Sequence, residues 1–242
     1  MITIVGLGAG DLNQLPLGVY KLLKDAKHVY LRTKEHPVVD ELVVEGLNYT
    51  SFDNVYERHD SFDDVYAEMM QILTAASKKG DIIYAVPGHP MVAERVVQLL
   101  IDSDIEIEIK GGQSFLDAMF TSLQIDPICG LQFFDATDFD PANLSLRQHI
   151  VFCQVYNSDM ASNVKLPLLE ILPYDYEVFI VAAAGSKQEI IKKVALYELD
   201  HETTLNNLTS VYIPPASEAL LRQAFSSLRE TVRTLRGPDG CP

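Results

Sequence analysis

The sequence predicts an α/β fold in two lobes, and three observations carry that reading. Short apolar runs alternate with segments of helical periodicity through about the first 110 residues, the pattern of a wound sheet. Glycine turns close three of the runs, and β-rich texture takes over after about residue 126. There is no internal repeat or low-complexity tract.

Taken in order, Ile2 to Val5 is a short apolar strand that runs into Gly6-Leu7-Gly8-Ala9-Gly10-Asp11. Pro16 suits a first helical position, and Leu17, Tyr20, Lys21, Leu23 and Lys24 continue at helical spacing. A strand over His28 to Leu31, a helix over Val38 to Leu47 and a weak strand near Tyr49 to Phe52 follow. Phe62, Val65, Tyr66, Met69, Met70, Ile72 and Leu73 mark an amphipathic helix capped by Asp60 or Ser61. Asp81 to Val86 is continuously apolar after its first residue, as a strand buried on both faces of a parallel sheet must be. It stops at Pro87-Gly88-His89-Pro90, before a helix from Met91 to Leu100 and a strand over Ile105 to Ile109.

Beyond Gly111-Gly112 a helix is expected from Ser114 to about Leu123, then a loop at Asp126-Pro127-Ile128-Cys129-Gly130. Strands are expected over Gln132 to Ala136, Ile150 to Val155, Val178 to Ala182, Lys192 to Leu199 and Ser210 to Ile213, with helices over Ala161 to Leu172 and Ser217 to Leu235. The second half reads as a mixed sheet with antiparallel pairing, and the lobe boundary is expected near residue 112.

Composition excludes several classes. In 242 residues, 34 acidic side chains face 19 basic ones, so the net charge is 19 − 34 = −15. The basic residues are scattered singly, whereas non-specific nucleic-acid binding needs a basic stripe to release counterions. A small cationic or mixed-charge ligand fits better. No apolar run reaches the roughly 18–20 residues of a membrane span, and the N-terminus lacks a signal-type charged segment; a cytoplasmic globule is expected. Cys129, Cys153 and Cys241 fit no metal-ligand spacing and form no disulfide framework.

The first glycine turn invites a dinucleotide reading, but that fingerprint needs glycine where Asp11 stands, and a carboxylate there repels pyrophosphate. The second strand ends on Arg32 and Thr33 rather than on an acid, which weakens a nicotinamide oxidoreductase further. No Gly-Lys-Ser/Thr follows, so a P-loop fails as well. What remains is three turns, Gly6 to Asp11, Pro87 to Pro90 and Gly111 to Ser114, that a parallel sheet can bring to its carboxyl edge, where ligands bind.

In order and spacing these segments resemble the tetrapyrrole methylase superfamily of S-adenosylmethionine-dependent methyltransferases. Ile4-Val5-Gly6-Leu7-Gly8-Ala9-Gly10-Asp11 resembles the family's opening, Gly80 to Val92 its central strand and Gly-Asp-Pro turn, and Gly112-Gln113-Ser114-Phe115 its Pro-Gly-x-Ser-Ser segment. Ile150 to Tyr156, Val181 to Gly185 and Val211 to Pro215 follow in family order, so the resemblance covers residues 1 to about 225. It implies two α/β lobes, residues 1–111 and 112–230, with the cofactor site in the cleft between them. It also implies S-adenosylmethionine binding at Leu7, Gly8, Pro87, Gly88, His89, Val92, Ser114, Phe115, Gln154, Val155, Ala182, Ala183, Pro214 and Pro215. A homodimer is expected as in relatives.

The ending Leu235-Arg236-Gly237-Pro238-Asp239-Gly240-Cys241-Pro242 resembles the start of a MazG-type nucleotide pyrophosphohydrolase. Residues 231–242 are therefore expected to be a linker and the first residues of such a domain, as in methylase–MazG fusions, with hydrolase activity outside this chain. The ending also reads as a simple turn-rich terminus.

Two departures stand out. His89 replaces the aspartate of the Gly-Asp-Pro turn, and either supplies a replacement hydrogen bond to the cofactor or fills the turn. Gly111-Gly112-Gln113 lacks the family's proline. Methyl transfer from a sulfonium is an in-line displacement that mainly requires the reacting atoms to be held about 3–3.5 Å apart. No catalytic residue is assigned, since His89 or a tyrosine could act as base but each also has a structural reading. Tyr20, Met69, Met70 and Phe120 are expected in the core, Cys153 as a buried hydrophobe, and Asp135 and Asp138 in a solvated loop. The acceptor, expected to be a small molecule, is unassigned. The competing reading is a non-catalytic module that binds S-adenosylmethionine or a tetrapyrrole and regulates the attached hydrolase.

Overall fold

The computed structural model describes residues 1–222 together with Val232, Leu235 and Arg236. Residues 237–242 lie outside the described residues, as does most of the helix expected up to Leu235. The chain forms two compact units. Met1–Leu123 with Ala184–Lys187 make the first, and Gln124–Ala183 with the chain from Gln188 onward make the second. The helix that follows Ser114 thus belongs to the first unit, whereas the sequence placed the boundary near residue 112.

The first unit is a five-stranded parallel sheet. Its strands are β1 (Ile2–Gly6), β2 (Val29–Leu31), β3 (Thr50–Ser51), β4 (Ile82–Val86) and β5 (Ile107–Ile109), in the order β3-β2-β4-β1-β5. Helix α1 (Leu17–Asp25) buries Val19 and Leu23, and α2 (Pro37–Val44) buries Val38, Val39 and Leu42, against Val5, Leu7, Leu31 and Ala85. The opposite face carries α3 (Asp53–Arg58), α4 (Phe62–Ser77) and α5 (Arg95–Ile101) over Ile2, Ile4, Tyr84 and Val86. The direction of winding reverses between the parallel neighbours β1 and β4, because α1 leads toward β2 and α5 leads past β1 to β5. That point is the topological switch of a doubly wound sheet. Both central strands are buried along their whole length, as runs that are apolar but for Thr3 require.

Three local differences from the sequence reading have physical causes. The helix expected from Met91 starts at Arg95, because Ala93 takes a left-handed φ of 55° and the Val92 N–H turns back to the His89 carbonyl at 2.9 Å. Helix α3 was not anticipated in the polar run Asp53-Asn54-Val55-Tyr56-Glu57-Arg58. It is pinned by Asp53, which accepts from Thr33 Oγ1 at 2.6 Å and the Lys34 N–H at 2.9 Å, and by the burial of Phe52 and Val55. The strand expected over Lys192 to Leu199 is Ile190–Ala195 followed by a 3-10 segment, Leu196–His201. Pairing stops because its neighbour begins at Glu177, opposite Ala195, and Leu196 and Leu199 then bury at the three-residue spacing of a 3-10 turn.

The second unit is built on a five-stranded sheet of β6 (Leu131–Asp135), β7 (His149–Cys153), β8 (Glu177–Ala182), β9 (Ile190–Ala195) and β10 (Thr209–Ile213), in the order β6-β7-β10-β8-β9. Helix α6 is Phe115–Leu123 of the first unit. The β6–β7 pair is parallel and the other three pairs are antiparallel, the mixed sheet expected from the sequence. Helix α7 (Ser158–Leu169) packs Ala161, Val164 and Leu168 onto Ile150, Phe152, Ile180 and Val211. Met69 lies in the first unit's core and Cys153 is buried. Asp135 caps its own turn, accepting from Thr137 N–H and Oγ1 at 2.9 and 2.7 Å.

Candidate functional site

In the first unit, the three glycine turns meet at the carboxyl edge of the sheet. Gly8 and Gly88 exchange backbone hydrogen bonds at 3.2 and 2.8 Å, forming an isolated antiparallel bridge beyond the ends of β1 and β4. Leu7 N–H donates to the Val86 carbonyl at 2.8 Å, and Gly6 N–H to the Gly111 carbonyl at 2.7 Å. The bridge therefore sits at the switch point.

The packing explains the residue types. A Cβ on Gly6 would lie 2.2 Å from the Gly88 carbonyl oxygen, and one on Gly112 would lie 2.6 Å from Gly6 Cα. Neither position admits a side chain without moving backbone. Gly88 differs: its φ is +62°, but a Cβ there would meet nothing within 4 Å. Glycine is thus needed at Gly6 and Gly112 for close packing, while at Gly88 it supplies a left-handed turn with an open side that a ligand can approach.

Around this edge the sequence-derived residues take distinct places. Leu7 is fully buried in the core, so its backbone alone faces the turn. Pro87, Gly88, His89 and Val92 share the β4–α5 loop and are half-buried. His89 Nδ1 accepts from the Met91 N–H at 3.1 Å, and its Nε2 lies 3.4 Å from where a Gly111 Cβ would stand. The imidazole thus fills and caps its own turn. Ser114 accepts from the Leu116 N–H at 3.2 Å and receives the Asp117 carboxylate on its own N–H at 2.8 Å, which fixes the start of α6 beside Phe115.

The sequence reading missed His36. It is buried, its Nε2 lies 2.9 Å from the Gly8 carbonyl, and its Nδ1 lies 3.3 Å from the Val38 N–H as the N-cap of α2. A carbonyl only accepts and an amide N–H only donates, so the ring is neutral with its proton on Nε2. Burial lowers its pKa, in the sense that keeps it neutral. The signal was available in His36-Pro37, a polar residue before proline at a helix start. Gln14 was missed as well; its Nε2 donates to the Gly185 carbonyl. Asp11 accepts from the Asn13 N–H at 3.0 Å and caps the turn at Leu12–Gln14.

A second polar group lies at the same edge. Arg32, just past β2, donates its backbone N–H to the Ala85 carbonyl at 2.9 Å. Its Nε lies 3.3 Å from Glu94 Oε2, and its guanidinium lies 5.8 Å from the centroid of the Tyr56 ring. Burial pushes the Glu94 carboxyl up to about 7, against the lowering effect of Arg32.

In the second unit, Gln154 and Ala183 take left-handed φ values of 61° and 49° just past β7 and β8. Val155 N–H donates to the Thr209 carbonyl at 3.3 Å and Ala183 N–H to the Leu208 carbonyl at 3.2 Å, so Gln154, Val155, Ala182 and Ala183 share one sheet edge. Pro214 and Pro215 do not join them. They follow the far end of β10, where the Pro214 carbonyl accepts from Tyr176 Oη at 2.8 Å, because β10 runs antiparallel to β7 and β8.

The family model described as Tetrapyrrole (Corrin/Porphyrin) Methylases matches residues 1–200. The chain belongs to the tetrapyrrole methylase family. Among the relatives of this methylase-family chain is the uncharacterized protein YabN of Bacillus subtilis (strain 168), 54% identical over 246 residues. That match covers 100% of this chain and 50% of YabN, so the chain spans about half the length of the curated relative it matches. The fold resembles cobalt precorrin-4 methyltransferase (TM-score 0.68, 16% identity, 88% of this chain and 94% of that one). It also resembles the Thermus thermophilus uroporphyrin-III C-methyltransferase complexed with S-adenosylhomocysteine (TM-score 0.67, 18% identity, 92% and 99%). Diphthine synthase is similar too (TM-score 0.64, 18% identity, 93% and 94%). Among the described residues no helix is long and apolar enough to cross a membrane, and no group of three or more His, Cys, Asp or Glu is placed to hold a metal ion.

Proposed function

We propose that this tetrapyrrole methylase-family chain is an S-adenosylmethionine-dependent methyltransferase acting on a small-molecule acceptor. The observation that carries the reading is the Gly8–Gly88 bridge at the switch point, with its open side at Gly88. Backbone without Cβ lets a flat or extended ligand approach closely, and the residues present fit such a group. Leu7, Gly8, Pro87, Gly88, His89, Val92, Ser114 and Phe115 are the cofactor-binding set proposed for the first unit. Gln154, Val155, Ala182 and Ala183 are the corresponding set in the second, and Pro214 and Pro215, at the opposite edge of that sheet, are proposed from the family resemblance alone.

When bound, S-adenosylmethionine supplies a methyl group on a sulfonium, and the leaving group is the neutral thioether S-adenosylhomocysteine. The chain's part is to bind and orient. His36 fixes the Gly8 carbonyl, and the core around Leu7 holds the turn rigid. His89 spends its Nδ1 lone pair on the Met91 N–H, which favours a positioning role over that of a base. The test is calorimetry of the folded chain with S-adenosylhomocysteine, followed by methyl transfer from labelled S-adenosylmethionine to candidate acceptors.

A wider reading, in which the chain is cytoplasmic, homodimeric and joined to a MazG-type pyrophosphohydrolase, rests on the family resemblance; the half-length match to YabN bears on the joined domain alone. The engagement of His89 supports a second one, a module that binds S-adenosylmethionine or a tetrapyrrole without turnover and regulates that hydrolase. Cofactor binding with no transfer, and a hydrolase rate in the longer protein that changes on ligand addition, would select it.

A further inference from the structure

The polar group of Arg32, Glu94, Tyr56 and Tyr84 is built unlike a structural ion pair. The Arg32–Glu94 contact runs through Nε at 3.3 Å, longer than the roughly 2.7–2.9 Å of a charge-assisted hydrogen bond and not the two-point fork a guanidinium forms with a carboxylate. Glu94 is only 6% exposed in its side chain, so its charge has little water. Tyr84 is fully buried, its hydroxyl has no hydrogen-bond partner, and both charged groups act on it electrostatically. The Tyr56 hydroxyl is also buried without a hydrogen bond of ordinary geometry, beside the same guanidinium. Buried polar atoms in native folds are nearly always satisfied, so the unmatched hydroxyl and the poorly matched ion pair call for a further polar group, a water or a group of a ligand. Arg32 is 30% exposed in its side chain and gives that group a way in.

We infer that Arg32 is a carboxylate-recognition subsite, in which a monocarboxylate of the ligand takes the place of Glu94 on the guanidinium, with Tyr84 as an added donor. A planar carboxylate matches the fork that Glu94 leaves unused. Charge selects a monoanion: one carboxylate replaces one carboxylate while Glu94 takes up a proton from solvent, so the buried site stays neutral. A dianionic phosphate would add an uncompensated buried charge. Arg32 directly follows β2 and Glu94 lies in the loop that carries Gly88, so the subsite lies at the sheet edge of the glycine turns. Its ligand is the methyl acceptor in so far as the methyltransferase reading holds, and only that clause rests on it.

The groups that interact with Glu94 are Arg32, Tyr56 and Tyr84; Arg32 keeps its charge and the hydroxyls of Tyr56 and Tyr84 are pushed above their usual value, so of these four groups Glu94 is the one that titrates near neutrality. With a carboxyl at about 7, its neutral fraction rises about tenfold from pH 8 to pH 6.

The experiment is a titration of the whole chain with acetate, followed by NMR, at those two pH values. Acetamide and inorganic phosphate serve as controls, and S-adenosylhomocysteine binding is measured on the same samples. Expected are saturable millimolar acetate binding about tenfold tighter at pH 6, no acetamide binding and, at pH 8 where phosphate is mainly the dianion, phosphate binding weaker than that of acetate. Glu94→Gln should bind acetate at pH 8 about tenfold more tightly than the wild type and lose the pH dependence. Arg32→Gln should abolish binding and Tyr84→Phe weaken it severalfold; if Arg32→Gln does not fold, the other two variants decide. Failure of folded Glu94→Gln to bind acetate, or acetate binding that Glu94→Gln and Tyr84→Phe leave unchanged, would overturn the inference. Acetate binding without S-adenosylhomocysteine binding would leave the subsite standing and remove the methyltransferase reading.

Discussion

The Nε2 of His36 lies 2.9 Å from the carbonyl oxygen of Gly8, so a residue ahead of α2 fixes the first glycine turn 28 positions earlier in the chain. His36→Ala removes this bond and the helix cap together, and should cost roughly 2 kcal/mol in chemical denaturation. Binding of S-adenosylhomocysteine should weaken as well, because the Gly8 carbonyl loses its anchor.

The same histidine has a pH signature. Its pKa in the fold is below the ordinary 6.5, so its contribution is fully present above pH 6.5 and is lost as pH falls below it toward the folded value. His36→Gln offers an amide donor and an oxygen acceptor but no proton to gain. The melting temperature of this variant should fall less than that of the wild type between pH 7 and pH 5; equal falls would remove His36 from the account.

Glu94 has the opposite sign. Its carboxyl is raised from 4.5 to about 7, so it is protonated longer in the fold than in the unfolded chain. Its contribution to stability is highest below pH 4.5 and declines as pH rises to about 7. Glu94→Gln should be stabilised relative to the wild type at pH 8 more than at pH 5, read as the difference in melting temperature at the two values.

Two glycines in one site should respond differently. Gly6→Ala places a methyl 2.2 Å from the Gly88 oxygen and must shift backbone, at a cost of about 3 kcal/mol or more. Gly88→Ala meets open space and incurs only the left-handed backbone penalty of about 1 kcal/mol. The second variant should therefore fold, and its defect should be in ligand binding rather than in melting temperature.

Cysteine labelling tests the second unit. Burial pushes the Cys153 thiol up to about 12, while Cys129 is exposed. Thiolate is the reactive form, so peptide-resolved alkylation at pH 8 should modify Cys129 and leave Cys153 intact until the chain is unfolded.

How much was legible in the sequence follows from what each residue's role depends on. Strands β1 and β4 could be read because both of their faces are buried, which leaves runs that are apolar but for Thr3. The glycine turns could be read because close packing admits no other residue at Gly6 and Gly112. Helix α3 could not, since Asp53 holds it through Thr33 and the Lys34 amide, contacts made by chain folding rather than by local periodicity. The early helix expected at Met91 failed because a left-handed Ala93 carries no composition signal. His36 was passed over because its role depends on Gly8, and Arg32 was read only as a missing acid, since nothing local ties it to Glu94. Pro214 and Pro215 were grouped with Gln154 and Ala183 by family order, and antiparallel register places them at opposite edges.

The methyl-donor cofactor is proposed to sit on the turn at Gly8 and Gly88. Isothermal calorimetry of the chain with S-adenosylhomocysteine measures this directly. One site per chain of about micromolar Kd, or some −8 kcal/mol, weakened at least tenfold in folded Gly88→Ala, is the predicted result. No heat of binding with either S-adenosylhomocysteine or S-adenosylmethionine, from wild-type chain shown to be folded, would contradict it.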